Sequence, residues 1–175
     1  MSKSPDDRLL VPIYWIARDG RPGRLATLSR PRGWDQIEHE IRRLHRRGVD
    51  VLVSLLTSDE IDELELHRAA ECCRNIGVTF ISYPIEDRTV PLSFDETARL
   101  VGTLGDQLSE GKGVAVHCRA GIGRSSTIAA CVLVSEGYSP DLAFELIRQA
   151  RRWKVPDTEE QRLWVARFAE SLKKS

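Results

Sequence analysis

The stretch Cys118-Arg119-Ala120-Gly121-Ile122-Gly123-Arg124, with His117 before it and Ser125 and Ser126 after it, gathers the residue types that anion chemistry requires. A loop that holds a phosphate dianion and attacks it needs a nucleophile that ionises near neutral pH. It also needs converging backbone N–H groups, a permanent cation and a helix start aimed at the anion. Cys118 supplies the sulfur, and an N–H nest with a helix N-terminus would favour its thiolate. Gly121 and Gly123 let the chain curl without a Cβ in the way. Arg124 can offer two parallel charge-assisted hydrogen bonds to phosphate oxygens, which a lysine cannot. A helix beginning near Arg124 would add its positive end, and Ser125 would place a hydroxyl beside the sulfur to ease its departure. The competing reading is an inert buried thiol beside an ordinary glycine turn.

Cleaving a phosphoester leaves an alkoxide or phenoxide, so a second loop should carry an acid for the leaving oxygen. The stretch Tyr83-Pro84-Ile85-Glu86-Asp87-Arg88-Thr89-Val90-Pro91 ends a predicted strand and carries two adjacent carboxylates, Glu86 and Asp87. Either could serve, or could simply pair with Arg88 or cap a turn.

The elements that must position these groups alternate between strand and helix. Strands are predicted at Val11–Ala17 and Arg24–Leu28, joined by the turn Asp19-Gly20-Arg21-Pro22-Gly23. Apolar residues at Trp34, Ile37, Ile41 and Leu44 predict a helix ending at Gly48. Val49–Leu56, β-branched and continuous, suits a strand buried on both faces. A helix capped by Ser58 is expected to run to Gly77, followed by a strand over Val78–Ile85. Ser93 and Glu96 form a capping-box pattern that opens a helix reaching about Gly111. Gly113–His117 is a short strand feeding into Cys118. The next helix, Ser125–Glu136, is apolar almost all round and therefore buried. Pro140 after Ser139 marks another helix start, and Thr158 opens the last. Interleaved strands and helices imply an α/β fold, a central and largely parallel twisted sheet flanked by helices. One domain is expected over 1–175, with 1–10 as a flexible N-terminus.

His-Cys-x-x-Gly-x-Gly-Arg-Ser, as it stands at 117–125, resembles the phosphate-binding loop of the protein tyrosine phosphatase superfamily, in a compact dual-specificity-like form. The pattern fixes six positions, including the uncommon His and Cys, and chance occurrence is below roughly one in a million. The resemblance covers about Val49 to Ala169. It implies Cys118 as nucleophile, Arg124 and the loop residues Arg119, Ala120, Gly121, Ile122 and Gly123 around the phosphate, and Ser125 assisting the sulfur. The family's acid occurs as Pro-Ile-x-Asp followed by a proline, and Asp87, 31 residues before Cys118, matches it. The family's His packs under the loop, which suits His117, although a satisfied core histidine reads the same way. Tyrosine-specific members carry a Gln that positions water, and Gln161 is similarly placed. Thr158 with Gln161 also reads as a capping box, and that structural role is the one adopted.

The implied activity is a phosphoprotein phosphatase hydrolysing phosphotyrosine, and phosphoserine or phosphothreonine if the pocket is shallow, through a cysteinyl-phosphate. Phosphoinositide hydrolysis is the alternative. Arg119 supplies one of the two loop bases typical of lipid phosphatases, but Ile122 stands at the other. A binding-only pseudophosphatase would need a damaged Cys118, Arg124 or Asp87, and all three are intact.

Composition is that of an ordinary globular protein and argues against disorder. The 175 residues are 41% hydrophobic and 30% charged, with 26 Lys plus Arg against 26 Asp plus Glu. The zero net charge asks for neither nucleic acid nor an acidic membrane as partner. The cluster Arg42-Arg43 with Arg46-Arg47 has the spacing of a solvated helix face. No apolar run has the length of a membrane span or the pattern of a signal peptide. Cysteines at 72, 73, 118 and 131 do not form a disulfide framework, which implies a reducing cytoplasm. No metal or other cofactor is expected, His39, His45 and His67 are read as surface residues, and the chain is read as a monomer. An accessible thiolate at Cys118 would be open to peroxide.

Overall fold

In the computed structural model, which describes residues 11–174, a five-stranded sheet has the order β1-β2-β5-β3-β4. The strands are β1 (Tyr14–Ile16), β2 (Arg24–Leu28), β3 (Val51–Ser54), β4 (Thr79–Ser82) and β5 (Gly113–His117). β1 runs antiparallel to β2, and every other pair is parallel. The sheet is therefore mostly parallel with one antiparallel edge, and the α/β expectation holds. The expectation for residues 1–10 lies outside the described residues.

β5 is the central strand. Its residues face Arg24–Leu28 on one side and Val51–Ser54 on the other, and all five are buried. Burial on both faces explains the unbroken apolar run Gly-Val-Ala-Val before His117.

Helices cover both faces. α1 (Ile37–Arg46), preceded by the 3₁₀ turn Trp34–Gln36, and α3 (Ala69–Ile76) lie on one side. Ile37, Ile41 and Leu44 of α1 meet Ala69, Cys72 and Cys73 of α3 over Leu52 and Ala115. The other face is built on α5 (Arg124–Ser135), enclosed by α4 (Phe94–Ser109), α6 (Pro140–Arg151) and α7 (Glu159–Leu172). Every α5 residue from Arg124 to Val134 is buried, as its all-round apolarity requires. Each buried Ile, Leu or Val there contributes about 1.5–3 kcal/mol. Among the described residues no helix is long and apolar enough to cross a membrane.

Two kinds of sequence expectation need correction. The helix expected from 58 to 77 is two helices, α2 (Ser58–Glu63) and α3, and the cap is Thr57 rather than Ser58. No Gly or Pro marks the break, because its cause is tertiary. Glu65 takes a left-handed φ of 54°, and its carbonyl accepts from the Trp34 N–H at 3.1 Å. A Cβ on Gly33 would lie 2.2 Å from the Leu64 carbonyl oxygen, so the two segments touch backbone to backbone. The strands expected at Val11–Ala17, Val49–Leu56 and Val78–Ile85 are also shorter, confined to Tyr14–Ile16, Val51–Ser54 and Thr79–Ser82.

The carboxyl ends of the parallel strands open on one edge, where sites form in such sheets. Four chain segments leave that edge, 29–33 after β2 among them, and three carry the candidate site groups: 55–60 after β3, 83–91 after β4 and 118–124 after β5. That convergence sets the geometry of the site.

Candidate active site

The loop after β5 wraps around its own first residue. Cys118 is buried, with 3% of its surface exposed, so the sulfur is recessed on the loop floor rather than openly accessible. The Gly121 N–H points at Sγ at 3.2 Å, and Sγ and Ser125 Oγ are 3.6 Å apart. The curl depends on Gly121, whose φ is +70°. A Cβ there would lie 2.4 Å from the carbonyl carbon and oxygen of Leu28, backbone atoms of a buried strand that cannot give way. Gly123 ends the loop as the cap residue of α5, so the helix N-terminus adjoins the curl. Arg119 and Ala120 are exposed, while Ile122 is half-buried against the α5 core.

Arg124, the first residue of α5, is 1% exposed. Its guanidinium is held by groups from the other two loops. Nη1 and Nη2 donate to the two carboxylate oxygens of Glu60 at 2.7 and 2.8 Å, a fork-to-fork pair. Nη1 also donates to the Ile85 carbonyl at 2.8 Å. Nε is buried and has no hydrogen-bond partner among the described residues. A buried N–H donor of this kind is costly unless something accepts from it. A phosphate oxygen over Cys118 fits that requirement.

Burial works against charge on both members of the Arg124–Glu60 pair, but their mutual hydrogen bonds outweigh it. Arg124 is held above its ordinary value and Glu60 below its own, the latter helped by the Thr57 backbone N–H. Glu60 is at once this partner and the third residue of α2, where it completes a reciprocal capping box with Thr57. Sequence reasoning missed it. The available signal was the Thr57-x-x-Glu60 capping pattern, which gives no hint of a partner 64 residues away.

Of the two adjacent carboxylates, the structure brings Asp87 to the site. Its Oδ1 is 3.0 Å from Arg124 Nη2, and the side chain is 59% exposed. Asp87 belongs to a turn in which the Thr89 N–H and hydroxyl both donate to the Glu86 carbonyl, at 3.1 and 2.8 Å. Arg88 takes a left-handed φ of 60° between them. Glu86 is exposed, and the contact to Arg124 belongs to Asp87.

His117 is buried beneath the loop, with Nδ1 3.3 Å from the Cys118 carbonyl oxygen. Burial lowers its pKa to about 4, more than the adjacent carbonyl can offset, so the ring is neutral at pH 7. Gln161 is fully buried and forms the reciprocal capping box with Thr158. Arg119 lies at the rim, paired with Glu63 at 2.9 Å. Cys72, Cys73 and Cys131 are buried free thiols, and burial raises each of them, Cys73 to about 12.

Comparison with known proteins follows the same line. Residues 26–138 match the family described as "Tc-R-P: Polymorphic toxin system, DSP-PTPase phosphatase". The chain is 33% identical over 122 residues to "PRL-1 phosphatase" of Drosophila melanogaster, covering 68% of this chain and 64% of that protein. It is 23% identical over 138 residues to "Cyclin-dependent kinase inhibitor 3" of Rattus norvegicus, covering 78% of this chain and 65% of that one. The chain thus spans slightly under two thirds of the length of these curated relatives. Its fold superposes on kinase associated phosphatase, crystallised with serine in place of its catalytic-site cysteine. The TM-score is 0.86 at 19% identity, over 96% of this chain and 99% of that one. The matched span runs from within β2 through α5 and includes the loop at 118–124, Glu60 and Asp87, and the chain belongs to the DSP-PTPase phosphatase family.

Proposed function

We propose that the chain is a phosphoprotein phosphatase acting on phosphotyrosine, and on phosphoserine or phosphothreonine, through a cysteinyl-phosphate on Cys118. One observation carries the reading. The recessed sulfur accepts from the Gly121 N–H beside an arginine that is fixed on its far side by Glu60 and keeps a bare, buried Nε.

In the first step the Cys118 sulfur attacks phosphorus, the S–P bond forms and the ester P–O bond breaks. Arg124 and the loop amides hold the equatorial oxygens as charge spreads onto them. The entering phosphate displaces Asp87 from Nη2, and the released carboxylate takes a proton from solvent and passes it to the leaving oxygen. In the second step Asp87 takes a proton from water, which attacks phosphorus as the S–P bond breaks, and Ser125 donates a hydrogen bond to the departing sulfur. None of these steps calls on a metal or cofactor. Four unpaired thiols suit a reducing compartment, and we place the protein in the cytoplasm as a monomer.

The test is hydrolysis of p-nitrophenyl phosphate by the wild type, its loss in Cys118→Ser, and capture of a phosphoprotein by an Asp87→Ala trap. A wild type without turnover would sink the reading. Phosphoinositides form the comparison arm, since Arg119 provides one exposed base in the loop. That base is already paired with Glu63, and Ile122 stands where a second would be, so phosphoprotein is expected to be preferred.

A further inference from the structure

We propose that Gln161 is a positioning residue that fixes the Asp87 turn against the cysteine loop, and that it does not orient the hydrolytic water. The inference rests on Asp87 acting as the acid.

The geometry uses up the Gln161 amide. Oε1 accepts from the backbone N–H groups of Asp157 and Thr158 at 3.1 and 3.2 Å. Nε2 donates to the Thr89 carbonyl at 3.1 Å. Aligning a nucleophilic water needs an acceptor, and the one acceptor of a glutamine side chain is its amide oxygen. Both lone pairs of that oxygen are occupied, and the side chain has no exposed surface. The hydrogen bond to Thr89 is also non-local, spanning 72 positions, and an α7 cap has no need of it.

Thr89 closes the turn that carries Asp87. Its N–H and hydroxyl both bind the Glu86 carbonyl, and the turn stores a left-handed Arg88. A conformation that costs about 1–3 kcal/mol persists only where neighbours fix it. The same amide also touches the cysteine loop. A Cβ on Gly123 would stand 2.9 Å from Gln161 Nε2 and 2.4 Å from Asp157 Oδ2. Gln161 therefore spans the two loops whose separation sets the distance from the acid to the leaving oxygen. A misplacement of about 1 Å costs up to 10²-fold.

Three variants separate this role from capping. Gln161→Met removes the cap partner and the tether together. Gln161→Glu keeps acceptors for the Asp157 and Thr158 N–H groups and has no donor for Thr89. Thr158→Ala weakens the cap alone. Turnover is compared for phenyl phosphate, whose leaving oxygen needs a proton, and 2,4-dinitrophenyl phosphate, whose leaving oxygen does not. Both Gln161 variants are expected to lose about tenfold on the phenyl ester and less than about twofold on the dinitrophenyl ester. Thr158→Ala should lower the melting temperature while leaving the ratio of the two rates unchanged. With Asp87→Asn already present, Gln161→Met should add no further loss on the phenyl ester.

Equal losses on both esters, no loss at all, or a full extra loss in the Asp87→Asn background would overturn the tether while leaving the Cys118 reading intact. A wild type that turns over neither ester removes both.

Discussion

Replacing Glu60 with glutamine tests whether the arginine of the loop is held from outside it. Glu60 accepts from Arg124 Nη1 and Nη2 at 2.7 and 2.8 Å and from the Thr57 N–H at 3.1 Å. A glutamine of the same shape keeps one acceptor oxygen, loses the charge and turns an NH₂ toward a donor. Removing one member of a buried ion pair costs about 3–5 kcal/mol. Here Asp87 and the Ile85 carbonyl remain on the guanidinium, so the expected cost is about 2–3 kcal/mol. At this chain length that lowers Tm by about 4–12 °C. Because the freed guanidinium can turn from the sulfur, kcat/KM for p-nitrophenyl phosphate should fall by about 10–100-fold. The pH dependence supplies a sign. The Glu60 carboxyl titrates below its ordinary value of 4.5 in the folded chain: burial opposes this, but Arg124 prevails. Its contribution is therefore present above about pH 4.5 and lost as pH falls through the lower folded value. The gap in Tm between wild type and Glu60→Gln should be full at pH 7 and should narrow below about 4.5. A variant within 2 °C of wild type at pH 7 with unchanged kcat/KM, or a gap that persists undiminished in acid, would refute the assignment.

Other outcomes follow from single contacts. His117, lowered by burial from 6.5 to about 4, contributes stability that is full above about pH 6.5 and lost progressively as pH falls toward 4. The swing is about 3 kcal/mol. Denaturant titrations from pH 7 to 4.5 should show that slope in the wild type and lose it in His117→Asn, and equal slopes would mean His117 is not buried neutral. Gly121→Ala meets the Leu28 carbonyl at 2.4 Å with φ at +70°. It should abolish turnover by at least about 10²-fold, with a strain of about 1–3 kcal/mol in chemical unfolding, whereas retained activity would mean the curl is not required. Arg119→Ala breaks only a rim pair with Glu63. It should leave the melting temperature unchanged and lower kcat/KM more for a phosphoinositide than for p-nitrophenyl phosphate, and an equal loss on both would place Arg119 in phosphate binding itself.

What could be read in the sequence was what is local. His117 to Ser125 is a contiguous strand end, curl and helix start, so the residues that build the curl are also the residues to which the proposed chemistry is assigned. The capping pair Ser139-Pro140 and the all-round apolar α5 are local in the same sense, and both are where the pattern put them. The break between α2 and α3 was not legible. Residues 58–77 carry no Gly or Pro before Gly77, and the Glu65 turn arises from contact with Gly33 and Trp34 across the sheet edge. The preference for Asp87 over Glu86 rests on the family's Pro-Ile-x-Asp pattern and its distance from Cys118, and the turn with a left-handed Arg88 presents that same carboxylate to Arg124. Periodicity carries no such information.

The two residues whose roles were hardest to read share a cause. Glu60 and Gln161 are each the third residue of a helix and the reciprocal half of a capping box, with Thr57 and Thr158 respectively. In each case the side chain that folds back to its own cap also reaches another loop: Glu60 to Arg124, and Gln161 to Thr89. A capping-box side chain has already lost its rotamer freedom to the helix start. A second hydrogen bond from the same group therefore adds little entropic cost, and its atoms are placed as firmly as the helix is. The starts of α2 and α7 lie beside the loops at the carboxyl edge of the sheet, so each of these groups reaches the loops of the candidate site. Treating a capping box as an alternative to a functional role then sets apart two uses that one side chain can serve together. Losing the cap should disturb the site only through the group that it orients, which is why Thr158→Ala and Gln161→Glu are expected to differ in substrate dependence and not merely in stability.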